Sequence, residues 1–184
     1  MLNFTLPTEV SQLTETTSQA LAQQIKWLEI VHNSETITTS YVYQSPDRAP
    51  SNQELDTQLI SNLESNYPIV LLHGFDSSVL EFRRLLPLLA KEIPTYAVDL
   101  LGFGFTKCKL PINPERIKSH LYSFWQTLIN QPIILVGASM GGAAAIDFTL
   151  TYPEVVHKLV LIAKTAFLRF ALNKTACLKL IPAS

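Results

Sequence analysis

Apolar and polar positions along the chain fall into short, sharply bounded blocks. Pro68 to Leu72 and Ile133 to Val136 are apolar, rich in β-branched residues and too short for helices, which predicts strands buried on both faces. Trp27 to Val31 and Thr36 to Tyr43 predict two more strands, the second rich in Thr, Ile, Val and Tyr. Thr95 to Leu100 and Lys158 to Ala163 complete the set. Between them the period changes. Ser78 to Lys91 places Val79, Phe82, Leu85, Leu86 and Leu89 at helical spacing, and Pro114 to Ile129 does the same with Ile117, Leu121, Phe124, Trp125 and Leu128. An alanine-rich helix follows Ser139, and the polar stretch Ser11 to Ile25 predicts a surface helix. Strands alternating with helices predict an α/β fold, a mostly parallel sheet with helices on both faces. Gln44 to Asn66 opens on a Pro- and Ser-containing loop signal and has no firm assignment. The chain divides into an N-terminal helical extension (1–26), a core (27–163) and a basic, apolar tail (164–184).

Composition narrows the function classes. The 184 residues suit one domain. A net charge of −1 gives no reason to expect a nucleic-acid partner. Cys108 and Cys177 are far apart and fit no metal spacing, so we expect reduced thiols, a cytoplasmic location, no metal and no cofactor. The N-terminus lacks a basic segment followed by an apolar one, so no signal peptide is expected. No apolar run approaches about 18 residues, so no membrane span is expected either.

The chemistry centres on Gly137-Ala138-Ser139-Met140-Gly141, a G-x-S-x-G between a buried strand and a helix. Side chains at 137 and 141 would collide with the neighbouring strand and helix, so the turn needs both glycines. The serine is then exposed above the sheet, at a helix start whose unpaired N–H groups favour developing negative charge. The plainer alternative is a helix-capping serine beside packing glycines. His73-Gly74-Phe75 ends another buried strand, where α/β folds place their ligands. Acyl transfer needs two N–H donors for the oxyanion, and those of Met140 and Phe75 fit. His73 reads as structural, and Asp99 as a clamp on its own loop through backbone N–H groups. Gly102 and Gly104 do not make a dinucleotide-binding loop, since a third glycine and a helix start are lacking.

Four runs together resemble the α/β-hydrolase superfamily, its esterase-like members in particular. They are Leu71-Leu72-His73-Gly74-Phe75, Val98-Asp99-Leu-Leu-Gly102-Phe-Gly104, Val136-Gly137-Ala-Ser139-Met-Gly141-Gly142 and Tyr152-Pro153-Glu154. The resemblance covers Trp27 to Ile162, the first two-thirds of the family's domain. It implies Ser139 as the nucleophile, with Phe75 and Met140 N–H groups forming the oxyanion hole. A serine at that position implies hydrolysis of an ester, thioester or C–C bond of a small molecule.

The departures matter as much. In this fold the acid and histidine of the triad follow the serine. After Ser139 the sequence has only Asp147, Glu154 and His157, and its last 22 residues contain no Asp, Glu or His. Asp147 is eight residues along the helix, roughly 12 Å from the turn. His157 opens the last strand at the end opposite Ser139, while His32 and His120 are expected to be solvated. The expectation is therefore an incomplete α/β-hydrolase fold, C-terminally truncated. It is either a serine hydrolase whose acid and base come from a second polypeptide or are missing only from this sequence, or a non-catalytic binding protein. The tail reads either as an amphipathic helix for a membrane surface or partner, or as residues replacing the family's usual C-terminal part. Leu159 to Ile162 would then form an apolar sheet edge, with the tail folding as a helix beside it and self-association through the strand.

Overall fold

Short, fully apolar strands make the centre of the sheet because neither face meets water. In Ile69–Leu72 every residue is buried. Its side chains alternate: Val70 and Leu72 join one apolar cluster, and Ile69 and Leu71 join the other. The computed structural model describes residues 6, 8–32, 35–46 and 67–162. Among these the strands are β1 (Lys26–His32), β2 (Glu35–Gln44), β3 (Ile69–Leu72), β4 (Thr95–Val98), β5 (Ile133–Ala138) and β6 (Val156–Ile162). They form one sheet in the order β1-β2-β4-β3-β5-β6. β1 pairs antiparallel with β2, and β2 with β4; the pairings of β3 with β4 and β5, and of β5 with β6, are parallel.

The helices are α1 (Thr16–Ala22), α2 (Leu85–Leu89), α3 (Pro114–Leu128) and α4 (Met140–Thr151). Leu121 and Phe124 of α3 and Ala145 and Phe148 of α4 pack on one face of the sheet. Leu21 of α1 and Leu86 of α2 pack on the other. The mostly parallel, two-faced layout expected from the alternating pattern is the one found. α3 starts where Asn113 accepts the N–H of Arg116 and Pro114 fills the first position, whose N–H would have no partner anyway.

Two helices expected to be continuous are broken. Ser78 to Lys91 splits into a 3₁₀ turn at Val79–Phe82 and the short α2. Pro87 has no N–H to give back to position 83 and its ring would crowd that carbonyl, so the helix can only restart with the proline in its first turn. Ser11 to Ile25 likewise divides into a 3₁₀ turn (Thr8–Gln12) and α1. Glu15, just before α1, binds Arg83 and Arg84, which pins this helix to the 3₁₀ turn and holds its carboxyl well down, at about 2.

His32 and His120 are buried between β1, β2 and α3, not solvated as expected. The helical period that placed His120 beside Leu121 and Phe124 gave no sign of a polar pocket under α3. There Thr39 Oγ1 meets His120 Nε2 at 2.8 Å, Ser119 Oγ meets His32 Nε2 at 3.1 Å, and Arg116 pairs with Glu35 at 2.8 Å. Burial, reinforced by His32 and Arg116, pushes the His120 pKa down to about 4 from 6.5. The unfolded chain therefore binds a proton between those values that the folded chain refuses. This contribution to stability is fully present above pH 6.5 and is lost as pH drops towards 4, by roughly 3 kcal/mol. Urea unfolding at pH 7.5 and pH 4 checks this; His120→Gln is expected to reduce the slope, and an unchanged slope would contradict the assignment.

β6 pairs only with β5 among the described residues, and Val160, Leu161 and Ile162 are exposed. The helix expected over 164–184 and the segment 47–66 lie outside the described residues. No helix among the described residues is long and apolar enough to cross a membrane.

Candidate active site

Ser139 occupies the single sharp turn between β5 and α4, with φ 51° and ψ −113°. A side chain is strained there, and surrounding structure must hold it. Close packing on both sides does so. A Cβ on Gly137 would lie 2.6 Å from the Gly142 Cα and closer still to the Gly141 carbonyl oxygen. A Cβ on Gly141 would stand 2.5 Å from the His73 carbonyl oxygen and closer still to that of Leu72. The turn is thus wedged between its own helix and β3. The Ser139 N–H donates to the Ile162 carbonyl at 3.2 Å, tying it to the C-terminal end of β6.

The loop after β3 is brought beside it: the space a Cβ would fill on Gly74 lies 3.5 Å from Ser139 Cβ. His73 is fully buried and sets the direction of this loop. Its Nε2 accepts the N–H of Leu100 at 3.0 Å, so its proton sits on Nδ1, which donates to the Gly74 carbonyl at 2.8 Å. In a planar trans peptide the C=O and the following N–H point in opposite directions. Holding the Gly74 oxygen therefore aims the Phe75 N–H the other way. That N–H has no acceptor among the described residues. Met140 opens α4, so its N–H precedes any acceptor within the helix.

Asp99 clamps its own loop through the Phe105 N–H, as expected, and also joins that loop to two distant segments. It is fully buried and accepts the Ser40 hydroxyl and the Val79 N–H, both at 2.6 Å, and the Phe105 N–H at 2.8 Å. Burial pushes its carboxyl up, and the three donors oppose that. Gly104, at φ 55°, leaves room for it: a Cβ there would stand 2.5 Å from the Asp99 carboxyl carbon.

All four histidines of the chain are among the described residues, and none faces Ser139. Both nitrogens of His73 are engaged. His32 and His120 lie under α3. His157 packs against the Tyr67 ring at the start of β6, five residues from Ile162 and so about 16 Å from the turn. Asp147 faces Lys118 of α3 at 3.4 Å. Among the described residues, no group of three or more His, Cys, Asp or Glu is placed to hold a metal.

The sequence profile of the alpha/beta hydrolase fold matches residues 67–176, more than half of the chain. The chain belongs to the α/β-hydrolase fold family. It is 38% identical over 165 residues to the alpha/beta hydrolase domain-containing protein VTE7 of Arabidopsis thaliana, covering 88% of this chain and 47% of that protein. It is 33% identical over 99 residues to a 2-hydroxy-6-oxo-6-(2'-aminophenyl)hexa-2,4-dienoic acid hydrolase of Metapseudomonas resinovorans, covering 51% of this chain and 34% of that one. The fold matches the crystal structure of a probable hydrolytic enzyme from Pseudomonas aeruginosa PAO1 at TM-score 0.62 and 21% identity, covering 75% of this chain and 40% of that one. The chain therefore spans about half, or less, of the length of the curated relatives it matches.

One residue at the site was missed from the sequence. Glu81 reaches back from the 3₁₀ turn to accept the Gly74 N–H at 2.8 Å. The only sequence signal, Ser78-Val-Leu-Glu81, has the form of a helix capping box and points to a purely local role.

Proposed function

We propose that Ser139 is the nucleophile of a carboxylic-ester-type hydrolase site, with the Phe75 and Met140 N–H groups as its oxyanion hole. The observation that carries this is the strained serine turn packed against a loop whose free N–H is fixed in direction. In the reaction Ser139 Oγ bonds to the ester carbonyl carbon and gives its proton to a base. The carbonyl oxygen becomes an oxyanion facing the two N–H donors, and the alcohol leaves with the proton returned to it. Water then releases the acid from the acyl-serine. Phe75 is 72% exposed and meets Phe103 edge-on at 5.8 Å, giving the substrate an apolar rim.

None of the four histidines is placed to take the serine proton, so full-rate turnover requires a base from outside these 184 residues. The same fact favours a second reading, a binding protein that holds an acyl compound over Ser139 without cleaving it. A fluorophosphonate probe tests the nucleophile directly. Labelling is expected to be slow, to reach one label per chain, to map to the peptide containing Ser139 and to vanish in Ser139→Ala. Equal labelling of that variant would rule the nucleophile out.

A further inference from the structure

Glu81 lies on none of the motifs that carry the resemblance, yet the structure places its carboxylate beside the loop that meets the serine turn. The volume a Cβ on Gly74 would occupy lies 3.5 Å from Glu81 Oε2 and 3.5 Å from Ser139 Cβ. A carboxylate at that distance could serve as a base, bind a cationic substrate or hold the loop. The geometry selects the third. Glu81 Oε2 already accepts the Gly74 N–H at 2.8 Å, so that oxygen is committed to the backbone.

We propose that Glu81 is a positioning residue that locks the oxyanion loop by holding the Gly74 N–H while His73 holds the Gly74 carbonyl. This rests on the reading of the Phe75 N–H as an oxyanion donor and adds to it the group that keeps that donor in place. Gly74 is the residue in the loop most in need of such a lock, because it has no side chain and its backbone is the least restrained of any residue type. With its C=O taken by Nδ1 of His73 and its N–H by Oε2 of Glu81, neither flanking peptide can rotate. The lock is itself anchored. Glu81 sits in the 3₁₀ turn Val79–Phe82, whose first N–H is held by Asp99, and Ser78 Oγ accepts the Leu80 N–H at 3.3 Å. A path of hydrogen bonds and short backbone thus runs from the buried Asp99 through Val79 and Glu81 to Gly74. An acyl site needs its N–H donors in place before charge develops, and a displacement of about 1 Å costs on the order of 100-fold in rate.

The test compares three forms of the full 184-residue chain. The second-order rate of fluorophosphonate labelling at Ser139 is expected to fall about 10- to 100-fold in Glu81→Ala. In Glu81→Gln, whose amide oxygen can still accept the Gly74 N–H, it is expected to stay within about threefold of wild type. Equal losses in both variants would assign Glu81 to proton transfer or charge and overturn the proposal. So would an Ala variant that labels like wild type. Hydrogen exchange at the Gly74 amide gives a readout independent of the serine. Protection is expected in wild type and the Gln variant and to drop at least tenfold in the Ala variant, with the β3 and β5 amides unchanged. Retained protection in Glu81→Ala overturns the lock. Loss at β3 and β5 as well shows a general structural role and overturns it too. A wild type that takes up no label defeats the nucleophile reading instead, and Gly74 exchange then still decides whether the lock exists.

Discussion

Gly141→Ala is expected to leave no stably folded chain. The new methyl carbon would stand 2.5 Å from the His73 carbonyl oxygen and closer to that of Leu72. The Leu72 oxygen cannot yield, because Leu72 is paired with Val98 on one side and Gly137 on the other, in the centre of the sheet. Overpacking against movable side chains costs about 1–3 kcal/mol. A clash with two backbone carbonyls is expected to exceed about 4 kcal/mol, a large part of the roughly 5–15 kcal/mol that holds a domain together. Gly142→Ala is the control. Its Cβ would lie 3.3 Å from the Gly137 oxygen, a tight contact that a small shift accommodates, and alanine favours the helix by about 1 kcal/mol. Circular dichroism during thermal unfolding separates the two; a Gly141→Ala variant melting with the wild type would show that the wedge between the turn and β3 does not exist.

The second large effect is on turnover. Purified alone, the chain is expected to hydrolyse p-nitrophenyl acetate at no more than a trace rate. A serine hydroxyl without a base is a poor nucleophile. Loss of the base costs on the order of 10⁶ in kcat in the subtilisin series, which leaves about 10³ to 10⁴ over water from the oxyanion hole and binding. Added imidazole supplies the absent base in solution and is expected to raise the Ser139-dependent rate in proportion to its concentration. Turnover near one per second without imidazole, lost in Ser139→Ala, would mean that a base reaches the serine by a route none of the four histidines offers.

Much of the fold was legible because the central strands carry an unmistakable signal. Ile69–Leu72 and Ile133–Ala138 are apolar and short, and no surface element looks like that. The serine turn was legible for a related reason, since two glycines flanking a serine between strand and helix answer to a steric need visible in the letters. What stayed hidden was polar and long-range. His120 falls beside Leu121 and Phe124 on the buried side of α3, but nothing in its neighbours says that Thr39, 81 residues away, would receive it. Glu81 was hidden differently, because its local pattern suggested a cap while its carboxylate crosses to another loop. The break before α2 could have been read from Pro87, but the apolar spacing on either side concealed it.

The three bonds of Asp99 close chain segments of very different length, spanning 6 residues to Phe105, 20 to Val79 and 59 to Ser40. The entropy lost on joining two points of a flexible chain grows with the logarithm of their separation, so the Ser40 clasp is the costliest of the three to close. It also requires β2 to have docked antiparallel on β4, a pairing that no local turn enforces. β3, β4 and β5 by themselves suffice to wedge the sharp bend at Ser139. They do not supply the hydroxyl donor that completes the Asp99 joint, which anchors the loop carrying Phe75. Rigidity at the site therefore depends on an N-terminal hairpin that supplies none of the groups around the serine.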